Sequence, residues 1–322
     1  MSKVNLILSG RQTEAMSGIQ ADDTLREWTE SARYWEKYSP FIRTMFAPVT
    51  AALIEDAGIR EGQTVLDVAG GPGEPSLTIA ETVGPSGAVI CTDAVAEMVQ
   101  AAERAAHGRG ITNVSFRQCS ADLLPFDRNS FDAVVCRLGV MFFPDPLSGL
   151  REMLRVTKPR GRLALAAWHQ SDLNPFCSSV SDVLSHYVEM PQIDPDAPGA
   201  FRFAQPGKLA NILRNAGAVD VRERILKFQI AAPISVDEFW ELRSATSSTL
   251  RKKLASFPDA QVCQVAEDVK ADVRGFFPNG QMSFPAQMIM VSGQKSQAST
   301  ANYSAFPVAN GRSDSLVRGD DF

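Results

Sequence analysis

The sequence predicts an α/β protein. A mostly parallel, seven-stranded sheet carries helices on both faces, and a helical cap is inserted beyond the fifth strand. Three observations predict it. Thr64 to Val68 is a short apolar run that breaks into Gly70-Gly71-Pro72-Gly73 and resumes with helical spacing from Ser76, which is a strand, a glycine turn and a helix. Apolar runs then alternate with helical patterns as far as Trp168. Beyond Trp168 the alternation stops, and segments 170–207 and 235–283 carry helical patterns of their own.

The elements follow in order. Residues 1–22 are polar without a clear period and are expected to be flexible. Residues 23–57 read as helices punctuated by Pro40 and Pro48, with Trp28, Ala32, Trp35 and Tyr38 near helical spacing. The first strand is Thr64–Val68. Gly87 to Asp93 is the second and ends in an acid, with a helix beginning through Ala94 to Met98. Asn113 to Gln118 is the third, and Asn129 to Leu138 the fourth. Leu150 to Val156 is a helix, which Lys158-Pro159-Arg160-Gly161 closes with glycine in the stop position. Arg162 to Trp168 is the fifth strand. Phe176 to Val188 is a helix within the first cap segment, and Leu209 to Ala216 is a core helix. Val219 to Ile230 and Phe284 to Ser292 are the last two strands, separated by the second cap segment. Residues 296–322 are rich in Ser, Gly and Asp and are expected to be disordered. The domain proper therefore runs over 23–295.

Composition sets limits. The chain has 44% hydrophobic and 21% charged residues, which suits a globular protein. A net charge of −5 gives no reason to expect nucleic acid as a partner. No apolar run is long enough to span a membrane, and a cytoplasmic location is the default expectation. The five cysteines (Cys91, Cys119, Cys136, Cys177, Cys263) form no metal-ligand spacing, so no metal is expected.

The glycine turn suits two ligand classes. A dinucleotide site wants a further glycine after Gly71-x-Gly73, where this chain has Pro75-Ser76. Asp67 ahead of the turn would repel a pyrophosphate and suits a cationic amine. Gly71 and Gly73 are expected to leave room for the ligand. Asp93 lies about 20 residues beyond the glycines, where an acid can accept the hydroxyls of a ribose. Met98 is a candidate for the face of a base.

The D-V-A-G-G-P-G stretch resembles the first motif of class I S-adenosylmethionine (SAM)-dependent methyltransferases, with Ala69 at the first glycine position. C-S-A-D-L-L-P-F, from Cys119, is similar to the family's adenine loop, although Ser120 stands where the family has an acid and Asp122 where it has a glutamate. N-S-F-D-A-V-V-C-R and M-F-F-P-D-P are similar to its fourth strand and the turn that follows. The resemblance spans about Ala32 to Gln294 and is closest to the ubiquinone/menaquinone-biosynthesis type. It implies the Rossmann-like class I methyltransferase fold and an enzyme that methylates a small, largely apolar or aromatic acceptor. A second reading is a protein of this fold that binds SAM without methylating.

The resemblance implies a cofactor site from Tyr38, Asp67, Ala69, Gly70, Gly71, Gly73, Asp93, Ala94, Met98, Ser120, Ala121, Asp122, Arg137 and Leu138. Ala69 is expected in an ordinary strand-end conformation. His169, at the ligand edge after strand five, and His186, on the cap helix, are the candidate catalytic groups. Phe143, Trp168, Tyr187 and Trp240 are expected to line the acceptor pocket. The two cap segments are expected to pack together through their apolar faces over the SAM methyl, or else to form a homodimer contact.

Overall fold

The computed structural model describes residues 23–189 and 194–297. The expected flexible stretch 1–22, and all but two residues of the expected disordered stretch 296–322, lie outside the described residues. The first helix, α1, covers 23–37 and is followed by α2 (Ser39–Met45) and α3 (Ala47–Ala57). Alternation then begins with β1 (Thr64–Val68), α4 (Ser76–Val83), β2 (Ala88–Asp93), α5 (Ala96–Gly108) and β3 (Val114–Gln118). It continues with β4 (Phe131–Arg137), α6 (Pro146–Val156) and β5 (Thr157–Trp168). The cap helix α7 (Pro175–Ser185) comes next, then α8 (Lys208–Asn215) and β6 (Ala218–Ala232). Helices α9 (Val236–Thr246), α10 (Ser248–Leu254) and α11 (Asp259–Val273) lead to β7 (Met282–Lys295).

The seven strands form one sheet in the order β3-β2-β1-β4-β5-β7-β6. The pairs among β1 to β5 are parallel, and β7 runs antiparallel to both its neighbours. The order reverses between β1 and β2 on one side and β4 on the other, so the crevice for a ligand opens at the carboxyl end of β1. The central strands are buried on both faces, with Val65, Leu66, Val134, Val135 and Leu165 at zero exposure, which is why they read as unbroken apolar runs.

Local signals set the boundaries. Asp145 caps α6 by accepting the Leu147 and Ser148 N–H groups, with Pro146 at the first helical position. Ser235 and Glu238 form a reciprocal capping box on α9. One boundary differs from expectation. β5 begins at Thr157, not Arg162, and the left-handed residue there is Arg160 (φ +64), not Gly161. Gly161 is required for space instead, because a Cβ there would come within 2.6 Å of Thr157 Cγ2 and 2.7 Å of the Asp132 carbonyl oxygen.

The two cap segments do pack on each other. Phe176 of α7 lies edge-on to Phe239 of α9 and to Phe284 of β7, with ring centroids 5.8 Å apart in both pairs. Phe276 and Phe277, which follow α11, complete the aromatic cluster. Fully buried Asn174 fastens α7 to the sheet: its amide oxygen accepts the Gln287 N–H at 2.9 Å, and its amide NH₂ donates to the Gln170 carbonyl at 2.9 Å.

Candidate active site

The glycine turn sits at the carboxyl end of β1. Ala69, Gly71 and Gly73 all have positive φ, at 59°, 56° and 111°. For Ala69 this corrects the expectation of an ordinary strand-end conformation. The turn demands the left-handed region at the position where the family carries glycine, and Ala69 adopts it at a steric cost of about 1–2 kcal/mol. Its methyl group fits because Gly139, after β4, has no side chain: a Cβ on Gly139 would stand 2.5 Å from the Ala69 Cβ.

The two motif glycines differ. A Cβ on Gly71 would meet nothing within 4 Å, so that residue borders open space. A Cβ on Gly73 would come within 3.1 Å of Leu77 Cδ1 and 3.3 Å of the Ala102 backbone. Gly73 thus makes room for α4 and α5 and not for a ligand, which corrects that part of the expectation. Gly70 is tight too, with Cys91 Sγ 2.7 Å from its virtual Cβ.

Asp67 is also placed differently from expectation. Its carboxyl group is fully buried beneath the turn and does not face the crevice. The Ser76 hydroxyl donates to Oδ2 at 2.5 Å, while Oδ1 has no partner among the described residues. Burial pushes its pKa up to about 7, against the opposing effects of the Ser76 hydrogen bond and the Arg137 charge. Arg137 ties the site together: it donates to the Thr50 hydroxyl at 3.0 Å and to the Glu74 carbonyl at 2.8 Å.

Asp93 joins β2 to the turn. Gly71 N–H donates to Oδ2 and Val95 N–H to Oδ1, each at 3.0 Å. Burial raises its pKa, and the two backbone bonds oppose the shift. The rim continues into the next loop, where Cys119 N–H donates to the Asp93 carbonyl and the Gln118 side chain to the Ala94 carbonyl, both at 3.0 Å. Ser120 and Asp122 are exposed, and the Ser120 hydroxyl donates to the Asp122 carboxylate. The two alternatives for the missing acid are therefore one hydrogen-bonded pair. Gly71, Asp93, Ala94 and the Ser120–Asp122 loop thus form one continuous edge, and Leu138 (φ +64) follows β4, the strand beside β1.

Other expected residues lie in the core. Met98 is 3% exposed and packs with Ala32 and Val95 beneath α1. Tyr38 is buried, with Lys37 Nζ over its ring. Trp168 is buried edge-on against Phe46, and Phe143 is buried where Gly149 makes space for its ring. Neither presents an open face to an acceptor. Tyr187 is held by a hydrogen bond from its hydroxyl to Asp268 of α11, and Trp240 is half-buried on α9.

The histidines separate. His186 is exposed at the end of α7. His169 is buried at the ligand edge, and its Nδ1 accepts the Gln170 N–H at 2.6 Å. That bond leaves the proton of the neutral ring on Nε2, so His169 can donate toward an acceptor but offers no free lone pair as a base.

Two features escaped the sequence reading. Phe142 lies edge-on to Trp28 at 5.0 Å and docks α1 over the end of β4. Arg243 of α9 lies over the Phe176 ring, with its guanidinium carbon 4.7 Å from the centroid. The aromatic turn after β4 carried a signal for the first. A lone arginine on an amphipathic helix carried none for the second.

Strand order and glycine turn together define the fold of the class I SAM-dependent methyltransferases. Residues 50–194 match the family model described as the ubiE/COQ5 methyltransferase family. The ubiquinone/menaquinone biosynthesis C-methyltransferase UbiE of Hahella chejuensis is 40% identical over 134 residues, 41% of this chain and 53% of that protein. UbiE of Cellvibrio japonicus is 44% identical over 136 residues, 42% of this chain and 54% of that protein. The chain thus spans about half the length of these curated relatives. A solved structure of Haemonchus contortus phosphoethanolamine N-methyltransferase 2, in complex with phosphomonomethylethanolamine and S-adenosylhomocysteine, aligns with a TM-score of 0.51 at 16% identity. It covers 84% of this chain and 59% of that one, and at such identity it speaks for the fold alone.

Proposed function

We propose that the protein is a SAM-dependent methyltransferase acting on a small, largely apolar or aromatic molecule. The observation that carries this is the joint geometry of Gly71 and Asp93: a glycine bordering open space, hydrogen-bonded to a strand-end carboxylate. These residues fit SAM, since the open turn admits the methionine portion and Asp93 keeps a lone pair on each oxygen for the ribose hydroxyls. When bound, SAM supplies a sulfonium-borne methyl electrophile. Ser120, Ala121 and Asp122 would edge the adenine, and Leu138 would border the methionine chain.

The chain's own work is then placement and exclusion of water. His169 Nε2–H orients an acceptor oxygen or nitrogen without removing a proton from it. Half-buried Trp240 and Tyr187 provide the apolar wall on the acceptor side. In the test, SAM, S-adenosylhomocysteine and NADH are titrated by calorimetry, followed by transfer of labelled methyl to a panel of phenols and quinols. Binding of the first two with label transfer is the expected result. Preference for NADH, or SAM binding without transfer to any extractable small molecule, would overturn the proposal.

A further inference from the structure

The loop that carries Ser120 and Asp122 has little structure of its own. Between Gln118, where β3 ends, and Phe131, where β4 begins, no helix or strand holds the chain. Its near end is tied by the bond from Cys119 N–H to the Asp93 carbonyl. Leu124, toward its far end, is buried, so its backbone polar groups need partners inside the protein. A side-chain pair on α6 meets both. Glu152 Oε2 accepts the Leu124 N–H at 3.1 Å, and Arg155 Nη2 donates to the Leu124 carbonyl at 2.8 Å. Arg155 Nη1 reaches the Phe126 carbonyl as well, at 2.7 Å.

The pair is a clamp on the loop. Arg155 Nε and Nη2 donate to the two Glu152 carboxylate oxygens at 2.7 and 2.8 Å, and the side chains are 24% and 22% exposed, turned inward from the helix surface. Gly149, Glu152 and Arg155 recur at every third position and share one face of α6. A Cβ on Gly149 would stand 3.6 Å from the Ala121 Cβ, so that face backs the loop from Ala121 to Phe126. The planar guanidinium serves two carbonyls and a carboxylate at once, which a lysine ammonium on its flexible stem does not reproduce. Ser120 and Asp122, by contrast, are exposed and bonded to each other, so their height over the crevice is set from behind.

We propose that Glu152 and Arg155 are positioning residues for recognition of the cofactor's base: acting through Leu124, they hold the Ser120–Asp122 loop where it discriminates adenine from other purines. The proposal rests on the methyltransferase reading, which it deepens by naming what fixes base selectivity. Adenine offers an exocyclic amine to the Asp122 carboxylate and the Ser120 hydroxyl. Hypoxanthine offers a carbonyl oxygen in its place, so lone pairs face lone pairs.

The probes are S-adenosylhomocysteine and S-inosylhomocysteine, which differ only in that group, titrated by calorimetry into the full chain. Wild type is expected to bind the adenosyl compound tighter by roughly tenfold or more, the worth of one charge-assisted hydrogen bond. Arg155→Lys and Glu152→Ala should each lower that ratio at least threefold. The loss should fall on the adenosyl compound, with S-inosylhomocysteine affinity kept within about twofold. Glu152→Gln retains an acceptor for the Leu124 N–H and should keep most of the ratio. A ratio unchanged in Arg155→Lys and Glu152→Ala would overturn the proposal. So would an equal loss for both ligands, which is the mark of general support to the domain. Wild type provides a check that needs no substitution: at equal saturation, hydrogen exchange of the Leu124 amide should slow more with S-adenosylhomocysteine than with S-inosylhomocysteine. Equal protection, or equal affinity for the two compounds, would overturn the proposal even if a variant does not fold. Failure of wild type to bind either compound would instead overturn the methyltransferase reading.

Discussion

Replacing Gly139 with alanine should damage the protein, and replacing Ala69 with glycine should repair the damage. Gly139 has φ −86° and ψ −39°, a conformation alanine adopts freely, so the cost of Gly139→Ala is purely steric. The new methyl would stand 2.5 Å from the Ala69 Cβ and 2.9 Å from Cys136 Sγ, where carbon atoms ordinarily keep about 3.5–4.0 Å. Overpacking of this kind costs roughly 1–3 kcal/mol. Ala69→Gly alone removes a left-handed strain of about 1–2 kcal/mol and adds a glycine entropy cost of roughly 0.5–1 kcal/mol, so it should be neutral to slightly stabilising. In the double variant the closer of the two clashes is gone. The two changes should then couple by on the order of 1–2 kcal/mol. Urea unfolding of the four proteins measures this directly. Effects that add within about 0.5 kcal/mol would refute the account of how Ala69 is accommodated.

Asp67 should make stability depend on pH. Its folded pKa of about 7 lies above the unfolded carboxylate value, so the native state holds a proton that the unfolded chain has lost. Stability should therefore fall as pH rises from about 4 to 7, by on the order of 4 kcal/mol from this group, and then level off. Asp67→Asn should flatten that slope in denaturation curves taken across the range, and an unchanged slope would assign it to other groups. Asp93→Ala removes the acceptor of two backbone N–H groups as well as the proposed ribose contact, so S-adenosylhomocysteine affinity should drop by roughly tenfold or more in calorimetry. A change within about twofold would remove Asp93 from the site. Trp240→Ala should raise acceptor KM while cofactor affinity stays put, and the reverse pattern would place α9 on the cofactor side. Phe284→Ala should cost about 3–5 kcal/mol in chemical unfolding, because its buried ring packs against four other phenylalanines. A loss below about 1 kcal/mol would mean that the cluster repacks around the gap.

The strands were legible because a sheet covered on both faces writes itself as apolar runs, and β1, β2 and β4 begin and end within a few residues of the reading. The start of β5 was not, since Lys158 to Gly161 carries turn residues that the strand accommodates through a left-handed Arg160. In the site, residue type showed which positions matter and not which way they face. Asp67 and Gly73 have motif identities, yet one supports the turn from beneath and the other admits a helix. Trp168 looks like a pocket wall from its place at a strand end, but distant Phe46 packs edge-on against it. Such facing depends on contacts far apart in sequence, which no local pattern encodes.

The place of β7 has a consequence for how the chain reaches this state. Strands β1 to β5 can assemble among themselves as the polypeptide leaves the ribosome. β7 lies between β5 and β6, pairing Trp168 with Met288 and Ala232 with Met282, so neither pairing exists until residues beyond 280 have emerged. Asn174 waits for the same event, because its amide oxygen takes the Gln287 N–H. The half that carries the glycine turn should thus be shaped early and the half that carries the cap late, in a step slowed by the length of chain it must close. A nascent chain stalled after β5 would hold the glycine turn in place with its upper edge still open to chaperones.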